Sequence, residues 1–266
     1  MDSLHYSKKL DDDGVILMPY VIENRFINDV KKEYDQLYDT VTNTDIPKTE
    51  PIIVFWKHVE GEQKKIVTFT EMPSLWNMIN DCIVPTLREK LGKEAERLQL
   101  LETIIFNKPP KISNTLHWNQ DVAYFTLKPN NQIAVWFPLE IVTKERGAMT
   151  YAIGSHKEGI RGSVNLHTNV SFDNEDRPLI PKNPEDAGFE VKTMEMTPND
   201  MLVHNGYTWH TTGPNTVENY LRTGISVRFI TDEAVFDPRP GQGAAFTKQV
   251  EIKPGEIFKG KPFPIM

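Results

Sequence analysis

Thr208-Trp209-His210-Thr211-Thr212-Gly213-Pro214-Asn215, with Arg222 twelve positions after His210, decides how this 266-residue chain is read. A histidine that can bind a metal, with an arginine about one hairpin away that can grip a carboxylate, suits an iron enzyme using a 2-oxo acid cosubstrate. The other metal ligands are expected upstream, in His117-Trp118-Asn119-Gln120-Asp121. Non-heme Fe(II) sites commonly use two histidines and one carboxylate on one face and leave the opposite positions open. On a strand, residues i and i+2 point the same way, so an H-x-D pair offers both side chains to one ion. Here that pair is Asn119-x-Asp121. An asparagine amide oxygen is a neutral, weak donor, whereas an imidazole nitrogen suits iron. His117 shares the strand parity but lies about 13 Å from Asp121 by strand rise, so it could share an ion only across a bulge.

Around this stretch the segments are short, apolar and broken by turn residues. Strands are expected at Leu101 to Phe106, Val122 to Leu127, Gln132 to Phe137, Met149 to Ile153, Phe189 to Met194, Asp200 to His204 and Thr223 to Ile230. Turn signals such as Pro129-Asn130-Asn131 and Thr197-Pro198-Asn199-Asp200 separate them, which favours a jelly roll over a parallel sheet. Before Leu100 the pattern is a short strand, Val15 to Pro19, and then helices. Ile27, Val30, Tyr34, Leu37 and Val41 fall at helical spacing within Ile22 to Val41. A second helix is expected from Ser74, read as its N-cap, interrupted near Pro85 and resuming to Leu91 before Gly92.

The ordered set of motifs resembles the phytanoyl-CoA dioxygenase (PhyH-like) family of Fe(II)/2-oxoglutarate oxygenases. Asp11 to Pro19 resembles the family's opening strand, and Asn107-Lys108-Pro109-Pro110 the segment before its metal strand. Trp118 to Phe125 is similar to the family's W-H-Q-D motif with one residue changed. Val135 to Leu139, Gly147-Ala148-Met149, Gly154 to Lys157, Thr208 to Asn215 and Arg222 to Phe229 follow in the family's order. The resemblance implies a mainly β fold with flanking helices, the double-stranded β-helix (jelly roll, cupin-like). It implies Asp121 and His210 as metal ligands, with Asn119 in the remaining ligand position. Arg222 matches the residue that holds the far carboxylate of 2-oxoglutarate, and Thr212 and Trp136 fall where the family lines that cosubstrate. A lysine near the pocket is also expected, with Lys57, Lys64 and Lys65 as candidates. The expected activity is a hydroxylase or other oxidation of a small organic molecule, with Fe(II) as cofactor and 2-oxoglutarate decarboxylated to succinate. Two other readings stay open: a catalytically silent homologue that binds cosubstrate or ligand or supports a partner, and a ligand-binding jelly roll with no redox role. His117, His156 and His204 read as structural histidines.

Composition frames this reading. With 39% hydrophobic and 25% charged residues the chain can bury one large core, and a single domain over 1–266 is expected. A net charge of −7 and the absence of a basic cluster argue against a nucleic-acid partner. The single cysteine, Cys82, forbids an internal disulfide and reads as a small buried hydrophobe on a helix in a reducing compartment. Met1 to Tyr6 lacks the apolar core of a secretory signal, and no apolar run reaches the roughly 18 residues of a membrane span, so a cytoplasmic monomer or homodimer is expected. Gly159 to Ala187, polar and rich in Asn, Asp and Pro, reads as an insert or lid over the site. The Pro-rich tail, Pro238 to Met266, is expected to wrap the barrel or to mediate self-association.

Overall fold

The computed structural model describes residues 3–59, 61, 63–111, 115–173, 175–238 and 245–266. Met1 and Asp2 of the amino terminus, Glu60 of the loop before β3, and Pro240 of the tail lie outside the described residues. The strands in chain order are β1 (Val15–Met18), β2 (Ile52–Lys57), β3 (Lys65–Thr68), β4 (Gln99–Lys108), β5 (Leu116–Asn119), β6 (Leu127–Lys128), β7 (Gln132–Pro138), β8 (Met149–Ala152), β9 (Val191–Met194), β10 (Met201–Asn205), β11 (His210–Thr212), β12 (Arg222–Ile230) and β13 (Val235–Phe236). The helices are α1 (Ser3–Asp13), α2 (Asn24–Leu37), α3 (Pro73–Met78) and α4 (Val84–Leu91).

A larger sheet runs β1-β10-β7-β12-β4-β2-β3, and a smaller one runs β5-β11-β8-β9. Every pair is antiparallel except β2 with β4. Two sheets with flanking helices make the jelly roll that the turn signals favour.

Strand periodicity assigns the two faces of the larger sheet. On β12, Ile225, Val227 and Phe229 join the core built with the helices, while Arg222, Ser226 and Arg228 line a cavity on the other face. On β10, Met201 and Val203 face the helices and His204 the cavity; on β7, Val135 and Phe137 face the helices and Trp136 the cavity. A one-residue slip would exchange these sets, so the helix-facing core fixes which polar groups enter the site. The apolar stripe of α2, Phe26, Ile27, Val30 and Tyr34, is buried in that core. Tyr34 also donates to Asn107 Oδ1 at 2.6 Å, tying the helix layer to β4.

Three local expectations are corrected. Val122 to Leu127 is no strand: Asp121–Ala123 is a 3₁₀ turn and only the two residues of β6 are extended. The Asn130 side-chain amide donates to the Val122 and Phe125 carbonyls, taking acceptors that a neighbouring strand would otherwise use. Ser74 is not an N-cap; Pro73 holds the first turn of α3, and the Ser74 hydroxyl donates to Glu33 on α2. Pro85 does not interrupt its helix, because a π-helical turn, Ile79–Ile83, leads straight into α4 and places the proline at that helix's start. Cys82 lies in that turn, buried as expected.

The motifs and periodicities did not mark α1, β2 or β3. α1 ends at Gly14, whose φ of 77° and approach to His156 and Thr208 leave no room for a Cβ.

Candidate active site

A cavity of about 350 Å³ opens between the two sheets. Three buried side chains meet in its wall: Asp121, from the 3₁₀ turn after β5, His204 at the inner face of β10, and His210, which opens β11. One donor atom from each lies within 4.8 Å of the others. The sequence reading placed Asp121 and His210 together and held His204 to be structural; the structure brings His204 into the same group. The signal that could have found it was parity, since Met201 and Val203 face the helices and His204 has the opposite parity.

Asp121 is gripped from two sides. Arg228 Nη2 donates to Oδ1 at 2.9 Å, and His204 Nε2 stands 3.1 Å from Oδ2. Burial alone would push the carboxyl up; the Arg228 charge and the His204 hydrogen bond overcome it and hold Asp121 well below the usual carboxylate range. Glu102 lies 3.4 Å from the same guanidinium, forming a buried acid–base–acid chain across β4 and β12.

His210 Nδ1 donates to the Thr208 carbonyl at 3.0 Å, which leaves Nε2 as the unprotonated nitrogen, 3.9 Å from Asp121 Oδ1. Burial lowers the His210 pKa to about 4 against the pull of Asp121, so the ring is neutral at pH 7. His204 Nδ1 meets the Tyr151 hydroxyl at 3.1 Å. With Asp121 ionised, His204 donates through Nε2 and accepts from Tyr151. A tyrosine hydroxyl can also accept, so the opposite tautomer, which frees Nε2 for a metal, keeps its partner.

Asn119 is the register partner of His210 and lines the same cavity. Its amide nitrogen donates to the carbonyls of His117 and His210 at 3.0 and 3.1 Å. β5 ends at Asn119, so the expected strand relation between Asn119 and Asp121 is replaced by a turn. Gln120, between them, points away and bonds Gly159, Arg161 and Tyr207 backbone atoms, clamping the start of the 159–187 segment. β5 advances three residues, Leu116 to Asn119, against two on β11, Thr212 to His210, so the extra residue lies on β5 beside His117; His117 is nonetheless not among the cavity-lining residues.

The second cluster gathers Arg222, Thr212 and Trp136, all cavity-lining. Arg222 Nη2 donates to Thr212 Oγ1 at 2.8 Å and to the Gly147 carbonyl at 2.9 Å, while its Nε is buried without a partner. Among the described residues no carboxylate lies within ion-pair distance of Arg222, which is 1% exposed. Burial draws its pKa down to about 10. Trp136 lies over Gly224, where an added Cβ would come within 2.2 Å of the indole, and its ring centre is 5.7 Å from the guanidinium. A buried guanidinium with an unused N–H has the chemistry to bind a carboxylate.

Of the three candidate lysines, Lys64 lines the cavity, its ammonium 4.3 Å over the Trp56 ring; Lys57 and Lys65 do not. Trp56, Phe106, Tyr124, Phe125 and Phe172 make most of the remaining wall apolar. The 159–187 segment contributes Val164, Asn165, Leu166, His167 and Phe172.

The donor set suits a metal. A carboxylate and two imidazoles are ligand types that non-heme iron takes, and Arg222 lines the same cavity.

Comparisons with known proteins show the family and the fold. The family described as phytanoyl-CoA dioxygenase (PhyH) matches residues 10–224. Among solved structures, the SnoN epimerase of nogalamycin biosynthesis, in complex with Fe3+, alpha ketoglutarate and nogalamycin RO, is 19% identical with a TM-score of 0.73, over 99% of this chain and 98% of that one. The SnoK carbocyclase of the same biosynthesis, described as non-heme and alpha ketoglutarate dependent, is 17% identical with a TM-score of 0.71, over 98% and 95%. EvdO2 from Micromonospora carbonacea var. aurantiaca, complexed with 2-oxoglutarate, is 16% identical with a TM-score of 0.61, over 90% and 96%. No curated protein matches the chain.

Proposed function

The chain belongs to the phytanoyl-CoA dioxygenase family, and on that footing we propose that it is an Fe(II)/2-oxoglutarate-dependent dioxygenase that oxidises a C–H bond of a small organic molecule. One observation carries the reading: Asp121, His204 and His210 converge on the cavity that also holds Arg222 and Thr212. Asp121, His210 and His204 would hold the iron, with Asn119 beside them as a neutral oxygen donor. When bound, the metal supplies a redox-active Lewis acid at which O₂ is activated as 2-oxoglutarate is decarboxylated to succinate.

The protein's own groups do the rest. Arg222 grips the distal carboxylate with the Thr212 hydroxyl beside it, and Trp136 walls that subsite. The Thr208 carbonyl sets the tautomer of His210, and the Tyr151 hydroxyl holds the His204 ring in either tautomer. The aromatic wall and the 159–187 segment, acting as a lid, exclude water from the reacting groups. A neighbour crystallised with a nogalamycin compound supports a small-molecule substrate. The acidic charge balance supports a reading without nucleic acid, and the single buried thiol supports a reducing compartment, so the enzyme is read as cytoplasmic, a monomer or homodimer. No helix among the described residues is long and apolar enough to cross a membrane.

A second reading, a silent homologue that binds cosubstrate or ligand, draws on two observations. Asn119 stands in a ligand position, and Arg228 already provides Asp121 with a buried counter-charge. Anaerobic titration with Fe(II) and 2-oxoglutarate separates the two. A visible metal-to-ligand charge-transfer band from the chain as it stands supports the oxygenase; a band only after Asn119→His supports the silent homologue.

A further inference from the structure

Lys108 is the last residue of β4 and the register partner of Arg222, the first residue of β12. Directly opposed residues on an antiparallel pair share a face. Both side chains are buried, at 0% and 1% exposure, and both converge on Thr212. Lys108 Nζ lies 3.4 Å from Thr212 Oγ1 and donates to the Gly213 carbonyl, while Arg222 Nη2 lies 2.8 Å from the same hydroxyl oxygen. The Thr212 proton is committed to the Gly147 carbonyl, so its two lone pairs are divided between the two basic groups. Gly147, at φ 72°, lets the lysine stem pass; a Cβ there would stand 3.1 Å from Lys108 Cδ.

We propose that Lys108 is a second basic group of the carboxylate subsite, neutral while the subsite is empty and charged once Arg222 holds a dicarboxylate, so that the cosubstrate enters together with a proton. The inference rests on the reading of Arg222 as the anchor of 2-oxoglutarate. Two buried like charges beside one hydroxyl are costly, and an entering carboxylate removes that cost. Lys108 responds to its surroundings as this requires: burial first, then the Arg222 charge, lower its pKa from the ordinary 10.5 to about 6. Another titratable group near it is His58, just after β2. Burial, with the Arg222 charge acting the same way, holds that imidazole well below its ordinary pKa, so it does not supply a competing positive charge. Lys108 is not among the cavity-lining residues, so it acts through Arg222 and Thr212 as a positioning residue.

The test is calorimetric titration of the Fe(II)-loaded chain, without O₂, with 2-oxoglutarate in buffers of different ionisation enthalpy. A parallel series uses 2-oxobutyrate, which has the same chelating head and no distal carboxylate. Uptake of close to one proton with 2-oxoglutarate and none with 2-oxobutyrate is expected at pH 7.5. The 2-oxoglutarate Kd should then weaken up to about tenfold per pH unit between pH 7 and 8.5. Lys108→Met should abolish both the uptake and the slope. Lys108→Arg, permanently charged, should abolish the uptake while still binding the dicarboxylate. Binding of 2-oxoglutarate with no proton uptake, or with the same uptake as 2-oxobutyrate, overturns the role of Lys108 alone. Failure of both 2-oxo acids to bind overturns the reading on which it rests and the proposal with it.

Discussion

The Arg228 guanidinium reaches from β12 to within 2.9 Å of Asp121 Oδ1, so the buried carboxylate at the centre of the site has an internal counter-ion. Glu102 shares that guanidinium at 3.4 Å, and all three side chains are less than a tenth exposed. Buried ions separated from water tolerate each other only as a set, because removing one leaves an uncompensated charge.

Arg228→Met should therefore destabilise the fold by about 3–5 kcal/mol in urea denaturation. The pH dependence has a definite sign. Asp121 is depressed in the folded state, so its contribution is complete above the ordinary carboxylate pKa and is lost as pH falls through the lowered value. Without Arg228 that loss begins at a higher pH, and acid unfolding should move upward. An unchanged acid transition would show that Arg228 does not control the carboxylate.

Metal binding distinguishes the three candidate third ligands. His204→Ala should weaken Co(II) or Fe(II) binding by about tenfold to a hundredfold, the effect of losing a ligand or its close support. Asn119→Ala and His117→Ala should each change it less than about threefold, since an amide is a poor donor and His117 is remote from the group. Loss of metal in the His117 variant would instead reinstate the bulged-strand alternative.

For the cosubstrate, Arg222→Ala should cost about 2–4 kcal/mol of 2-oxoglutarate binding, the loss of a bidentate charge-assisted pair in a buried site. Isothermal titration would show this as a strongly raised Kd with the metal affinity unchanged. An unaltered Kd would remove Arg222 from the subsite.

Gly224→Ala tests whether Trp136 shapes that subsite. The new methyl would come within 2.2 Å of the indole, so the ring must move. Overpacking of this kind costs about 1–3 kcal/mol. A lower Tm together with weaker 2-oxoglutarate binding is expected, whereas a lower Tm with unchanged binding would make Trp136 a packing residue only.

The sequence by itself determined the alternating pattern of β12, the helical stripe of α2, and the order of motifs that places Asp121, His210, Arg222, Thr212 and Trp136 at one cavity. Those features are local or are carried by spacing along the chain, and burial of one face of each element enforces them. The turn after Asn119 was not legible, because it depends on Asn130 reaching back for two carbonyls. The pairing of Lys108 with Arg222 was equally hidden, since their sequence separation exceeds a hundred residues. His204 reads as an ordinary strand histidine until β10 is docked between β1 and β7 with that face toward the smaller sheet. Which polar groups share a cavity is set by the register between distant strands. Tertiary structure decides that, because the free energy fixing the register comes from the apolar face on the opposite side of the sheet.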